Sequence, residues 1–191
     1  GVTVTLPASG APSTGFLNLF NGDNGDIRYG SLIKKYTDEK GNPFYATEKF
    51  KVQDNSDPNY THINPIVLRS SEMYLNRAEA YWNKNLLTEA ANDIKAIIGR
   101  AYNKSPNDVV VTDTDKAALW TIIKNERIKE LAFEGHKLFD TNRWGDEMVR
   151  DATTTSSIKS QPKNSPWFLN PIPQRELDVN PNMVGNPTVN N

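Results

Sequence analysis

Apolar residues recur at helical spacing in three stretches of the chain, and the spacing predicts three helices. The first runs from about Leu68 to Asn83, entered through the stiff Pro65. The second runs from about Thr88 to Tyr102, with Leu87, Ala90, Ile94, Ile97 and Ala101 as its buried stripe. The third runs from about Asp115 to Glu134, with Leu119, Ile122, Ile123, Leu131 and Phe133 on one face and Asp113 or Thr114 as its cap. Upstream, Leu32–Tyr36 and Phe44–Phe50 read as strands. The turn Asp38-Glu39-Lys40-Gly41-Asn42-Pro43 between them makes an aromatic hairpin. The short apolar pieces before Gly30 are split by turn residues, and 151–165 reads as a polar surface loop. A short helix is expected at Asp146–Arg150, an extended segment at Trp167–Pro173 and a single turn at Gln174–Leu177. Trp82 and Trp120 fall on helix stripes and read as core.

The first two helices carry a further pattern. Ala78, Tyr81, Asn85, Ala90, Ile94 and Ile97 fall at the spacing of a tetratricopeptide helix pair. The alanines allow close approach, and Asn85 tolerates the left-handed turn between the helices. One such pair is visible, whereas roughly three are needed for independent stability. Either the third helix covers the open side, or the chain is the C-terminal portion of a longer protein.

Charges complicate the third helix. Glu126, Glu130 and Glu134 stand four apart beside its apolar stripe, and carboxylates beside a core must be paired. An interhelical ionic network is expected from Arg69, Glu72, Glu79, Glu126, Arg127, Glu130, Glu134 and Arg143, with Arg77 as a further partner. Arg143 should also rest on Trp144 as a cation–π contact.

Composition narrows the chemistry. A net charge of -1 over 191 residues gives no field for nucleic acid. The absence of cysteine excludes disulfides, thiolate metal sites and a cysteine nucleophile. No cofactor or metal is called for. The oxygen-rich run from Asn21 to Asp26 lacks the distal glutamate of a calcium loop and reads as a polar turn, and His62 reads as a solvated loop side chain. No apolar run approaches the roughly 20 residues that cross a bilayer. The opening residues carry no targeting pattern, which leaves a cytoplasmic protein or a processed piece of a longer one.

The most specific stretch is Glu126 to Gly145, with ER-x-x-EL-x-FEG followed by D-x-x-RWG. With Asp26-Ile27-Arg28, the helix from Pro65 to Ala80, Ala90–Ala101, Phe168–Glu176 and the closing Asn-Pro turns, it resembles the C-terminal portion of the SusD/RagB family. His136 departs from the arginine more usual there. The resemblance implies a mainly α SusD-like fold: a TPR-like helix pair, a third long helix, a small hairpin and extensive loops. It implies one domain over 1–191, with a loop and hairpin region (1–64), a helical core (65–150) and a loop and proline-rich end (151–191). It implies a glycan-binding lipoprotein on the outer-membrane surface, anchored by an upstream lipid. Its partners would be an oligosaccharide, polysaccharide or glycopeptide and a SusC-like TonB-dependent transporter. A sugar binder needs aromatic faces with polar groups beside them, and Tyr29, Phe44, Tyr45, Tyr60 and Trp167 are the candidates, each also readable as a packing residue. Two alternatives are a TPR-type interaction scaffold without its own ligand site and a glycoside hydrolase using the glutamates. Ion pairing accounts for the glutamates more simply, so no catalysis is expected.

Overall fold

The computed structural model describes residues 12–20, 25–47, 49, 66–150 and 156–187. The chain divides into two compact units, the first ending at Glu134 and the second beginning at Gly135. The described residues are mainly helical, with two short two-stranded antiparallel sheets.

In the first unit, helices α1 (Thr14–Asn18) and α2 (Ile27–Leu32) lead into a hairpin of β1 (Ile33–Thr37) and β2 (Pro43–Thr47). The sequence reading assigned no helix to α1 or α2. Both are short and rest on side-chain caps: Ser13 Oγ accepts from the Phe16 N–H and Asp26 Oδ1 from the Arg28 N–H, each at 3.1 Å. The hairpin begins one residue later than expected because Leu32 closes α2. Its turn is held by the Asp38 carboxylate, which accepts from the Lys40 and Asn42 N–H groups at 2.9 and 2.7 Å.

Helices α3 (Ser70–Asn83) and α4 (Leu87–Ala101) form the predicted pair. Leu68 lies before α3 and is exposed. Between the helices Asn85 takes φ 61°, and the Leu86 N–H returns to the Tyr81 carbonyl at 2.9 Å. Ala78 and Ala90 are fully buried, as close packing of the two helices requires. Arg77 ties the pair together, its Nε and Nη2 donating to Asp93 at 2.8 and 2.6 Å.

Helix α5 (Lys116–Glu130) packs on this pair. Its cap is Asp115, which accepts from the Ala117 and Ala118 N–H groups at 3.0 and 2.9 Å. The expected caps stand too early, and Asp113 instead accepts from the Thr88 hydroxyl. The helix ends at Glu130 and not Glu134, because the following turns place Phe133 at φ 64° and Gly135 at φ 85°. One core joins Leu75, Ile94, Ile97, Val111, Leu119 and Ile123. Trp82 and Trp120 are only half-buried at its rim. Their rings stack 4.4 Å apart, and the Trp82 N–H reaches the Lys116 carbonyl at 2.8 Å. An indole N–H needs such a partner, which keeps Trp82 at the edge. A second, smaller core joins Phe20, Leu32, Ile33 and Ala132, with Phe16, Tyr29, Tyr45 and Phe133 against it.

Gly99 of α4 sets a close approach. A Cβ there would meet the Lys104 carbonyl oxygen at 2.9 Å and the Pro106 nitrogen at 3.2 Å, both backbone. Gly99→Ala is therefore expected to destabilise by about 1–3 kcal/mol in urea unfolding. Gly30→Ala, with open space at its Cβ, should cost nothing.

The second unit contains α6 (His136–Arg143), β3 (Met148–Val149) paired with β4 (Ser160–Gln161), and α7 (Gln174–Val179). The helix expected at Asp146–Arg150 is replaced by β3. Gly145 turns the chain at φ 66°, and strand pairing then supplies backbone partners, as in Arg150 N–H to the Lys159 carbonyl at 2.8 Å. The same pairing orders part of the segment read as a loop. A 3-10 turn at Pro166–Phe168, capped by Ser165, opens the segment expected to be extended throughout. Trp144 lies 5.0 Å from the Arg143 guanidinium and 5.9 Å from the Lys137 ammonium.

Candidate functional site

The densest chemistry of the first unit surrounds the end of α5. Helical spacing puts Glu126 and Glu130 on one face, and the turn after the helix brings Glu134 beside them. Arg28, from α2, enters between the first two. Its Nη2 lies 2.8 Å from Glu126 and its Nη1 3.2 Å from Glu130, while Asp26 takes its Nε and Nη2 at 2.9 and 2.7 Å. Arg69, at the start of α3, donates to the Glu130 carboxylate and backbone carbonyl, and reaches Glu134 at 2.9 Å. Arg100, at the end of α4, lies 2.5 Å from Glu130. Lys129 pairs with Glu126 at 2.5 Å, and Lys49 pairs with Glu134 at 2.5 Å. The Glu134 Oε1 atom lies between the Lys49 ammonium and the Arg69 guanidinium. Among the described residues, four carboxylates (Asp26, Glu126, Glu130, Glu134) thus face five cations (Arg28, Lys49, Arg69, Arg100, Lys129).

Other members of the expected network go elsewhere. Arg127 is buried and donates to Asn76 at 2.7 Å. Arg143 pairs with Asp140 at 2.8 Å inside the second unit. Glu72 and Glu79, half-buried on α3, take part in none of the bonds around Glu130. Lys49 and Lys129 gave no signal in the sequence. Arg28 and Arg100 were visible only as residues of family-like motifs, and Asp26 also as the end of the oxygen-rich run read as a polar turn.

Burial pushes the Asp26 and Glu130 carboxyls upward, but the neighbouring guanidinium groups outweigh it. Arg28 holds Asp26, and Arg100 and Arg69 hold Glu130, below the ordinary values of 3.8 and 4.5. Glu130 is thus ionised at neutral pH, the opposite of what a general acid requires. Both folded-state values lie below those of the unfolded chain, so their stabilisation is present above the unfolded values and is lost as pH falls through the folded ones. The melting temperature should drop steeply below about pH 4. Glu130→Gln should make that drop shallower in a circular-dichroism melt series.

The cluster borders a surface depression of about 430 Å³. It is lined by Arg69, Ser70, Ser71 and Tyr74 at the start of α3 and by Ala96, Ile97 and Arg100 of α4.

The candidate sugar-facing aromatics differ in their surroundings. Tyr29 meets Phe20 edge-on at 5.5 Å, and Tyr45 joins it against the smaller core. Phe44, on the opposite face of the hairpin from Tyr45, stacks with Tyr36 at 5.6 Å, and the Lys34 ammonium lies 5.4 Å from the Tyr36 ring. Trp167 belongs to the second unit and is 48% exposed. Tyr60 and His62 lie outside the described residues, as does most of the oxygen-rich run beginning at Asn21. Asp26, at the end of that run, is bonded to Arg28. Among the described residues no cluster of acidic or histidine side chains could hold a metal ion, and no helix is long and apolar enough to cross a membrane.

Comparison with known proteins gives this arrangement a context. The family model described as "SusD family" matches residues 19–188. A SusD-like protein of Formosa agariphila is 28% identical over 152 residues, covering 77% of this chain and 28% of that protein. A SusD superfamily protein of Bacteroides vulgatus matches in structure with a TM-score of 0.76 at 27% identity, over 94% of this chain and 39% of the other. A candidate sugar-binding protein of the same organism matches with a TM-score of 0.71 at 28% identity, over 93% and 39% of the two chains. The chain therefore spans well under half the length of these relatives.

Proposed function

Because the chain belongs to the SusD family, we propose that it takes part in holding an oligosaccharide, polysaccharide or glycopeptide at the cell surface. The intact protein would sit on the outer membrane through an upstream lipid anchor and pass its ligand to a SusC-like TonB-dependent transporter. The family match across residues 19–188 carries this reading. The candidate sugar-binding relative supports it, and so do half-buried or exposed rings that offer a face to a pyranose. Phe44 and Trp167 fit that role better than Tyr29 and Tyr45, which lean on a core. A second reading, a peptide-binding scaffold, draws on the tight packing of Ala78 against the α4 helix. The saturation of Glu130 by arginines weighs against a glycosidase.

Affinity electrophoresis of this chain through gels containing a panel of polysaccharides tests the proposal. The wild-type chain should be slowed by at least one polysaccharide, and a variant that loses a contacting ring, tested separately as Phe44→Ala and Trp167→Ala, should be slowed less in the same gel. Free migration of the wild-type chain in every gel would remove glycan binding from this segment. Capture of a peptide under those conditions would favour the scaffold.

A further inference from the structure

We propose that the depression between the start of α3 and the end of α4 holds an acidic unit of the glycan, a pyranose bearing a carboxylate or a sulfate ester. This rests on the glycan-binding reading above and names the chemical class of ligand.

The argument begins with charge. Among the described residues the ionic cluster carries one more cation than carboxylates, and its members differ in access to water. The side chains of Arg28, Lys49, Lys129 and all four carboxylates are 11% exposed or less. The Arg100 side chain is 56% exposed, and Arg69 follows at 21%. The uncompensated charge is therefore presented where these two arginines line the depression. Glu72, in the first turn of α3, is not among the lining residues.

Hydrogen-bonding capacity points the same way. A guanidinium has five N–H donors. Among the described residues, Arg100 uses one of its nitrogens, Nη2, on Glu130, and it shares that carboxylate with Arg28 and Arg69. Three cations on one glutamate leave donors for a second oxyanion, and a guanidinium matches carboxylate or sulfate oxygens in a planar fork. Glu130 fixes the position of the Arg100 head group, so less ordering entropy is lost when an anion arrives.

The remaining lining suits a sugar ring. Tyr74 is 40% exposed and offers an aromatic face beside the arginine, and its other neighbour, Arg77, lies 5.2 Å from the ring centroid. Ala96 and Ile97 add apolar surface, and the Ser70 hydroxyl stands at the exposed start of α3. The volume, about 430 Å³, falls in the roughly 300–1,000 Å³ range of small-molecule sites.

Isothermal titration calorimetry with three oligosaccharides of equal length tests the assignment: one neutral, one built of uronic acid and one sulfated. At low salt at least one acidic oligosaccharide should bind about tenfold more tightly than the neutral one, a difference that shrinks as ionic strength rises. The two acidic arms distinguish a carboxylate from a sulfate ester. Arg100→Gln should abolish the preference for the acidic oligosaccharide. Ser70→Asp is the second variant. It places a negative charge in the first turn of α3, where it favours the helix, so the fold is kept while an anion in the depression is repelled. Equal affinity for neutral and acidic oligosaccharides would overturn this inference and leave the glycan reading intact. A preference that survives both substitutions would also overturn it, by placing the anion elsewhere. Failure of all three oligosaccharides to bind would sink the inference together with the reading beneath it.

Discussion

Glu130→Gln is expected to destabilise the first unit by roughly 3–5 kcal/mol, the usual consequence of removing one partner from a buried ionic group. Glu130 is 3% exposed and accepts from Arg28, Arg69 and Arg100 through its two carboxylate oxygens. The amide keeps the shape and one acceptor oxygen but loses the charge. Arg28 then retains Asp26 and Glu126, Arg69 retains Glu134, and Arg100 turns to solvent. The loss therefore falls mainly on the desolvated Arg28 and Arg69. Urea unfolding measures it, and a double-mutant cycle with Arg28→Met should return a coupling of about 0.5–3 kcal/mol. A loss below about 1 kcal/mol, the range of an exposed pair, would mean that the other carboxylates satisfy the arginines without Glu130.

The second large effect is expected at Ile94. This α4 side chain is fully buried in the core that also contains Leu75, Ala78, Leu119 and Ile123. Ile94→Ala removes three carbons from a site walled by helices, where little collapse is available. The expected cost is about 2–5 kcal/mol, with Ile94→Val at about 0.5–1.5 kcal/mol. Equal small losses for both variants would show that the helix pair closes over the cavity. Because α5 packs on the same core, the alanine variant should also weaken amide-exchange protection across Leu119–Ile123. An effect confined to α4 would contradict the single shared core.

The helix pair was legible because its information is local. Ala78, Asn85 and Ala90 report on packing and turn geometry within a dozen residues, and the period of the apolar positions fixes the buried faces. The end of α5 was not legible, since nothing in the sequence requires Phe133 to adopt a positive φ. The ionic cluster was half legible. Glutamates beside an apolar stripe demand cations, but spacing could not say which cations arrive. Arg28 lies far upstream and Lys49 sits just beyond the hairpin, so both come from parts of the chain whose approach to α5 is set by tertiary packing. The likeness to known motifs picked out Asp26, Arg28 and Arg100 without giving them partners. The candidate aromatics were hardest to place, because a ring facing a sugar and a ring facing a core look alike in sequence. Tyr45 and Phe44 are neighbours on one strand and face opposite ways.

The reach of Arg28 bears on the order of folding. Its guanidinium bridges to Glu126 and Glu130 across 98 and 102 residues of chain. The α3–α4 pair, by contrast, closes over a short turn. Loop-closure entropy favours the short-range contacts first, so the helical core should assemble in the rate-limiting step and the α2 segment should dock onto it afterwards. In stopped-flow measurements Arg28→Gln is then expected to accelerate unfolding and leave the refolding rate nearly unchanged, whereas Ile94→Ala should slow refolding. Arg28 would act as a late latch, setting how long the folded chain lasts more than how quickly it forms.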